Sequence, residues 1–163
     1  MKKTLILSLL ITLHFFAFSQ TSYYKGEWTM ESNNSNFGCL IKIDVGNDNT
    51  ISGEIYWTYL IGDSTNEESI KFYQNKKGKS GIEFIAGNFK PEFNDIYWEG
   101  VSKTDPYLVV GLDKYYLKWS PDKQVIYGKT WSNGRDNGMM YAIKIKPKHA
   151  KKMIKNLKTQ IGQ

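Results

Sequence analysis

The side chains able to do chemistry are few in this 163-residue chain, and they are scattered. A nucleophilic triad or a zinc site needs histidine, and beyond the first twenty residues the only one is His149, in a lysine-rich tail. Cys39 is the single cysteine, so no intrachain disulfide can form. It alternates with Ile41, Ile43 and Val45, which predicts a buried and inert thiol. The sequence holds no Cys-x-x-Cys pair, no phosphate-binding loop and no nucleophile elbow. Its 16 acidic residues supply carboxylates, but no spacing singles out an acid–base pair. These residue types argue against an enzyme and imply neither a metal nor another cofactor.

Two charged residues stand apart. Arg135 is the single arginine among 22 basic residues, and it sits in the stretch TWSNGRDNGMMY. A guanidinium grips a carboxylate with two parallel hydrogen bonds, which lysine cannot do. Asp113 shares the parity of Tyr115, Leu117 and Trp119, so its carboxylate is expected to point inward with those rings. It either accepts hydrogen bonds that pin a connection, orients a ligand's polar group, or joins Asp105 around a calcium ion.

Residues 1–19 read as a secretory signal: Lys2 and Lys3, an apolar run from Leu5 to Phe18, and Ala17-x-Ser19 before the expected cut. The apolar run is short for a membrane span, so a secreted or periplasmic protein is expected, with no transmembrane segment after cleavage. Five lysines (148, 151, 152, 155 and 158) lie in the tail. Between Gln20 and Lys146 there are 15 basic and 16 acidic residues, which gives no electrostatic footprint for nucleic acid.

The elements that must position these residues are strands. In YYKGEWTME, residues Tyr24, Gly26, Trp28 and Met30 alternate with Lys25, Glu27 and Thr29. CLIKIDV and ISGEIYWTY alternate in the same way, and further runs are read at Ile82–Lys90, Asp95–Lys103, Leu112–Ser120, Gln124–Trp131 and Met139–Lys146. That pattern predicts an all-β domain over 20–146, an eight-stranded antiparallel up-and-down barrel. The even-numbered connections are short and polar, whereas the odd-numbered ones are longer, so one end should be a floor and the other a mouth. Outward positions carry Lys25, Glu27, Lys42, Asp44, Glu54, Glu99, Lys114 and Lys118, unlike the apolar band of an outer-membrane barrel. After Pro147, Ala150, Met153, Ile154, Leu157 and Ile161 recur at helical spacing, which predicts a basic amphipathic helix over 147–163. It is expected to pack on the barrel's outside or floor, the alternative being a frayed helix that meets an anionic surface.

Gly26-x-Trp28 on the first strand and ISGEIYW on the third resemble the opening of avidin and lipocalin-type barrels, the calycin architecture. DPYLVVGLDKYYLKWSPD, with YGKTW behind it, is similar to a secreted bacterial barrel-like domain of uncharacterised role. The resemblance implies the barrel and no activity. Avidin's biotin contacts do not carry over, since Met30 stands where its pattern wants a small polar residue.

The functional expectation is a monomeric, non-catalytic barrel holding a small molecule at its mouth. Trp28, Trp57, Asp113, Trp131 and Arg135 are the candidate ligand-binding residues. The alternative is a filled structural or protein-interaction module, because 5 tryptophans and 11 tyrosines could fill the whole interior.

Overall fold

The computed structural model describes residues 20–30, 35–62, 67–132 and 135–163, apart from the side chains of 68, 69, 72, 73 and 132–137. Eight strands follow one another around a closed antiparallel barrel. They are β1 Gln20–Met30, β2 Asn36–Val45, β3 Thr50–Ile61, β4 Ser80–Lys90, β5 Asp95–Thr104, β6 Lys114–Trp119, β7 Val125–Ser132 and β8 Arg135–Lys144. Helix α1, Glu67–Gln74, interrupts the third connection, and helix α2, Pro147–Gln160, follows the barrel. Thr65-x-x-Glu68 has the spacing of a capping box ahead of α1, and both side chains lie outside the described ones. Strand β8 returns to β1, with Met140 opposite Trp28, so the sheet has no open edge.

Alternation explains the wall. Tyr24 and Trp28 are buried while Lys25, Glu27 and Thr29 face out. Outward charges meet across strands, as in Lys118–Asp95 at 2.8 Å and Lys114–Glu99 at 3.8 Å. Inward, Ile41, Ile43, Ile55, Ile85, Phe89, Ile96, Trp98, Leu117, Trp119 and Ile126 form one apolar core. Cys39 is buried among them as the alternation predicts, and that burial pushes its thiol up to about 12.

The floor is closed by tight turns. Asn49 and Asn94 adopt left-handed backbone angles (φ 64° and 55°), a conformation asparagine tolerates better than most residues. Their carbonyls accept the N–H groups of Phe89 and Trp119, each at 2.9 Å, so each floor turn is tied to a neighbouring strand end.

Helix α2 lies on the outside of the barrel. Ala150, Met153, Ile154, Leu157 and Ile161 cover Tyr23, Leu40, Tyr56 and Ile82, the outward residues of β1 to β4 that are nevertheless buried. Lys158 places its ammonium 5.9 Å from the centre of the Tyr56 ring, while Lys148, Lys151, Lys152 and Lys155 remain exposed. Of the two placements expected for the tail, packing against the wall is the one observed. Ala150 is fully buried in this seam, so Ala150→Glu should undock α2 and lower stability by about 3 kcal/mol. Loss of helical circular dichroism together with new binding of a hydrophobic dye would report the detachment.

Candidate functional site

At the mouth the apolar filling stops short. A cavity of about 280 Å³ remains there, bounded by Trp28, Phe37, Trp57, Tyr115, Glu83 and Asp113, with Met30 and the Val109–Gly111 segment completing it. The inward faces of β1, β2, β3, β4 and β6 each contribute one ring or one carboxyl, so the barrel itself sets the geometry.

The aromatic wall is fixed by ring packing and by one hydrogen bond. Trp28 meets Phe37 edge to face at 5.3 Å and Trp57 at 6.2 Å, and Phe37 meets Trp57 at 6.2 Å. The indole N–H of Trp28 donates to the Thr130 hydroxyl at 2.9 Å. Gly138 leaves room for that indole, because a Cβ there would stand 2.8 Å from the Trp28 ring.

Glu83 is the centre of the site. Its side chain has no solvent exposure. Oε2 accepts the Trp57 indole N–H at 2.9 Å and the Tyr115 hydroxyl at 2.6 Å, while Oε1 accepts the Asp113 backbone N–H at 3.4 Å. Burial raises the carboxyl from its ordinary value of 4.5 to about 7, and the nearby Asp113 charge adds to the rise. The hydrogen bonds from Tyr115 and Trp57 oppose the shift without cancelling it. Burial, then the Glu83 charge, push the Tyr115 hydroxyl well above its ordinary value, so it stays a donor. The mouth therefore contains a carboxyl that changes charge near neutral pH, held by neutral donors.

Space for this carboxyl depends on Gly100. A Cβ there would stand 2.1 Å from Glu83 Oε1 and 3.0 Å from the Leu112 side chain. Gly100→Ala should displace the carboxyl from its donors and cost about 1–3 kcal/mol, as overpacking does. Denaturant unfolding gives the cost, and a shift of the Trp57 indole N–H resonance would show that the carboxyl has moved.

The fifth connection, residues 105–113, folds over the mouth. Asp105 Oδ1 accepts the Val109 N–H at 2.9 Å and Oδ2 accepts the Val110 N–H at 2.8 Å. The Asp105 side chain is 1% exposed and pairs with Lys103 at 3.6 Å. This carboxylate pins the connection and tucks Val109 and Val110 into the mouth. The calcium reading of Asp105 and Asp113 finds no support in the geometry, since both Asp105 oxygens are occupied by backbone donors. Among the described residues no group of three or more side chains is arranged to hold a metal ion.

The five sequence candidates divide. Trp28, Trp57 and Asp113 line one cavity. Asp113 does so from the fifth connection rather than from a strand, because β6 starts at Lys114. Trp131 does not join them. Ile126 and Thr130 take the buried face of β7, which turns Trp131 to the outer wall at 40% exposure, next to a register shift at Thr130/Trp131. Arg135 is not in a loop either: β7 runs to Ser132 and β8 begins at Arg135, the two paired across a hairpin. Its backbone stands at the mouth end, since Gly138 on the same strand pairs with Met30, and its side chain lies outside the described ones.

Sequence reading missed Glu83 and the capping role of Asp105. For Glu83 the parity signal is ambiguous: it alternates with Ile85 and Phe89 of the core, but Ile82 and Phe84 on the other parity are apolar too. A larger concavity, about 820 Å³, lies on the outer wall, where Tyr127, Met139, Tyr141 and Ile143 are partly exposed. It is a surface groove with no buried ionisable group in its lining. Comparison with protein-family models, with curated proteins and with solved structures finds no match for this chain.

Proposed function

We propose that this chain is a secreted, monomeric, calycin-like barrel that binds a small molecule at its mouth without transforming it. The observation that carries the reading is a fully buried glutamate set beside an unfilled, aromatic-walled cavity. Burying a carboxyl is costly, and an apolar side chain of similar size would serve a purely structural interior better. At about 280 Å³ the cavity sits just below the range of about 300–1,000 Å³ usual for ligand sites, which suits a compact ligand. Trp57 and Tyr115 orient the Glu83 carboxyl, a positioning role that needs no nucleophile. Secretion rests on the basic and apolar regions of residues 1–19.

The second reading, a protein-interaction module, draws on the exposed Tyr127, Met139, Tyr141 and Ile143 of the outer wall. A thermal-shift screen of small fragments on wild type and Gly111→Trp separates the two. Gly111 is an exposed rim residue where an added Cβ meets only Asp113, at 3.4 Å and beyond, so the indole blocks the mouth with little strain. Fragments that stabilise wild type and lose their effect in Gly111→Trp support the mouth site. Fragments that act equally on both, or a screen without stabilisers, contradict it.

A further inference from the structure

We propose that helix α2 rests its lysine face on an anionic phospholipid surface and holds the barrel there without entering the bilayer. The inference is independent of the mouth reading. Lys148, Lys151, Lys152 and Lys155 are spaced three and four apart, so they share one face of α2 over about 10 Å. All four are exposed, and they stand away from Ala150, Met153, Ile154 and Leu157, which pack on the barrel. None of the ion pairs among the described residues includes them. Residues 147–163 contain no acidic residue, so the helix itself supplies nothing to neutralise the row.

Helix stability alone does not account for this row. Lysines at these spacings repel one another, and Lys148 lies in the first turn, where the helix dipole favours an acid. A face kept merely soluble is served better by lysine–glutamate pairs, which add stability. The strands beneath α2 do not widen the charge. Strands β1 to β4 turn outward Lys25, Lys42 and Lys90 against Glu27, Asp44 and Glu54, and Lys42 pairs with Asp44 at 3.4 Å. The positive charge is therefore confined to one crest on a convex wall. Clasping a chain such as a nucleic acid needs basic side chains on more than one side, whereas a flat layer of headgroups meets a crest along its length. Lysine ammoniums act as point charges, which suits phosphates that move in the plane of a membrane. The apolar face of α2 is buried against the barrel, so the contact is electrostatic and involves no insertion. The row also leaves the mouth open, because α2 runs along the side wall. Its end reaches the fifth connection, where the Tyr107 hydroxyl donates to the Gln160 carbonyl at 3.3 Å.

The test is co-sedimentation of the processed chain, residues 20–163, with vesicles of phosphatidylcholine alone or mixed with phosphatidylglycerol, at low and at high salt. Wild type should bind only the vesicles that contain phosphatidylglycerol, and added salt should release it. Each lysine is expected to contribute about fivefold, so replacing Lys148, Lys151, Lys152 and Lys155 together by Gln should remove detectable binding. The double variant Lys151→Gln, Lys155→Gln, expected to weaken binding about 25-fold, serves if the quadruple variant does not fold. Replacing the exposed Lys71, Lys77, Lys90 and Lys114 by Gln lowers the net charge equally and should leave binding unchanged. Equal loss in that control, binding to pure phosphatidylcholine vesicles or binding that resists salt overturns the inference. So does a wild type that ignores the anionic vesicles, including one that instead binds a soluble polyanion such as heparin through the same lysines.

Discussion

Trp28→Ala is expected to lower the unfolding free energy by about 3–5 kcal/mol, the usual cost of deleting a buried aromatic side chain. Trp28 is 6% exposed, packs edge to face on Phe37 and Trp57, and satisfies its indole N–H on Thr130. The substitution removes a ring that braces two strands and enlarges the mouth cavity. Trp131→Ala is the matched control. Its ring is 40% exposed on the outer wall, so stability should stay within about 0.5 kcal/mol of wild type. Chemical denaturation of the two variants tests which face of the wall each tryptophan occupies. Similar losses for both would contradict the strand parity on which the site is built.

Glu83 governs the second large effect, a pH dependence. Its folded-state pKa of about 7 lies above the ordinary glutamate value of 4.5, so the folded state holds its proton more tightly than the unfolded chain does. Linkage then gives a stability contribution that is fully present below about pH 4.5 and is lost as pH rises through 7. A shift of that size corresponds to about 3 kcal/mol. Glu83→Gln has no proton to lose, so its stability between pH 5 and 8 should fall less than that of wild type, by about the same amount. Urea melts across this range measure the difference. Parallel pH profiles in the two proteins would mean that the carboxyl is solvated and that the cavity is not closed around it.

The barrel was legible because most strands have one wet face. Lys25, Glu27 and Thr29 against Tyr24 and Trp28 leave a single reading of β1, and the same holds for β6, where Tyr115, Leu117 and Trp119 alternate with exposed residues. Strand β4 was harder for a physical reason. Its outward residue Ile82 is buried under α2 while Ile85 and Phe89 are buried in the core, so both parities are apolar and Glu83 has no distinct phase. The tail held the missing information: an amphipathic helix needs an apolar outer patch, and Tyr23, Leu40, Tyr56 and Ile82 supply it.

The outward face of Trp131 and the strand position of Arg135 share another cause. Asn, Gly and Asp favour turns, so the stretch from Ser132 to Gly138 reads as a long loop. Pairing with β7 and β1 overrides those weak preferences and carries the ladder to Ser132 opposite Arg135. Trp131, taken for a mouth residue, lies one position past the buried Thr130 and so falls on the outer face. Asp105 was visible as a residue but not as a cap, because its role depends on where Val109 and Val110 turn back.

The central claim is that a small molecule binds in the mouth and not in the outer groove. The most direct test follows the tryptophan indole N–H resonances while a stabilising fragment is titrated into the ¹⁵N-labelled protein. Trp28 and Trp57 line the mouth cavity, Trp98 is buried in the core, and Trp131 is on the outer wall. The account predicts that the Trp57 and Trp28 resonances shift together in a saturable way while that of Trp131 holds still. Movement of Trp131 with Trp28 and Trp57 unchanged would place the ligand on the outer wall and contradict the mouth site.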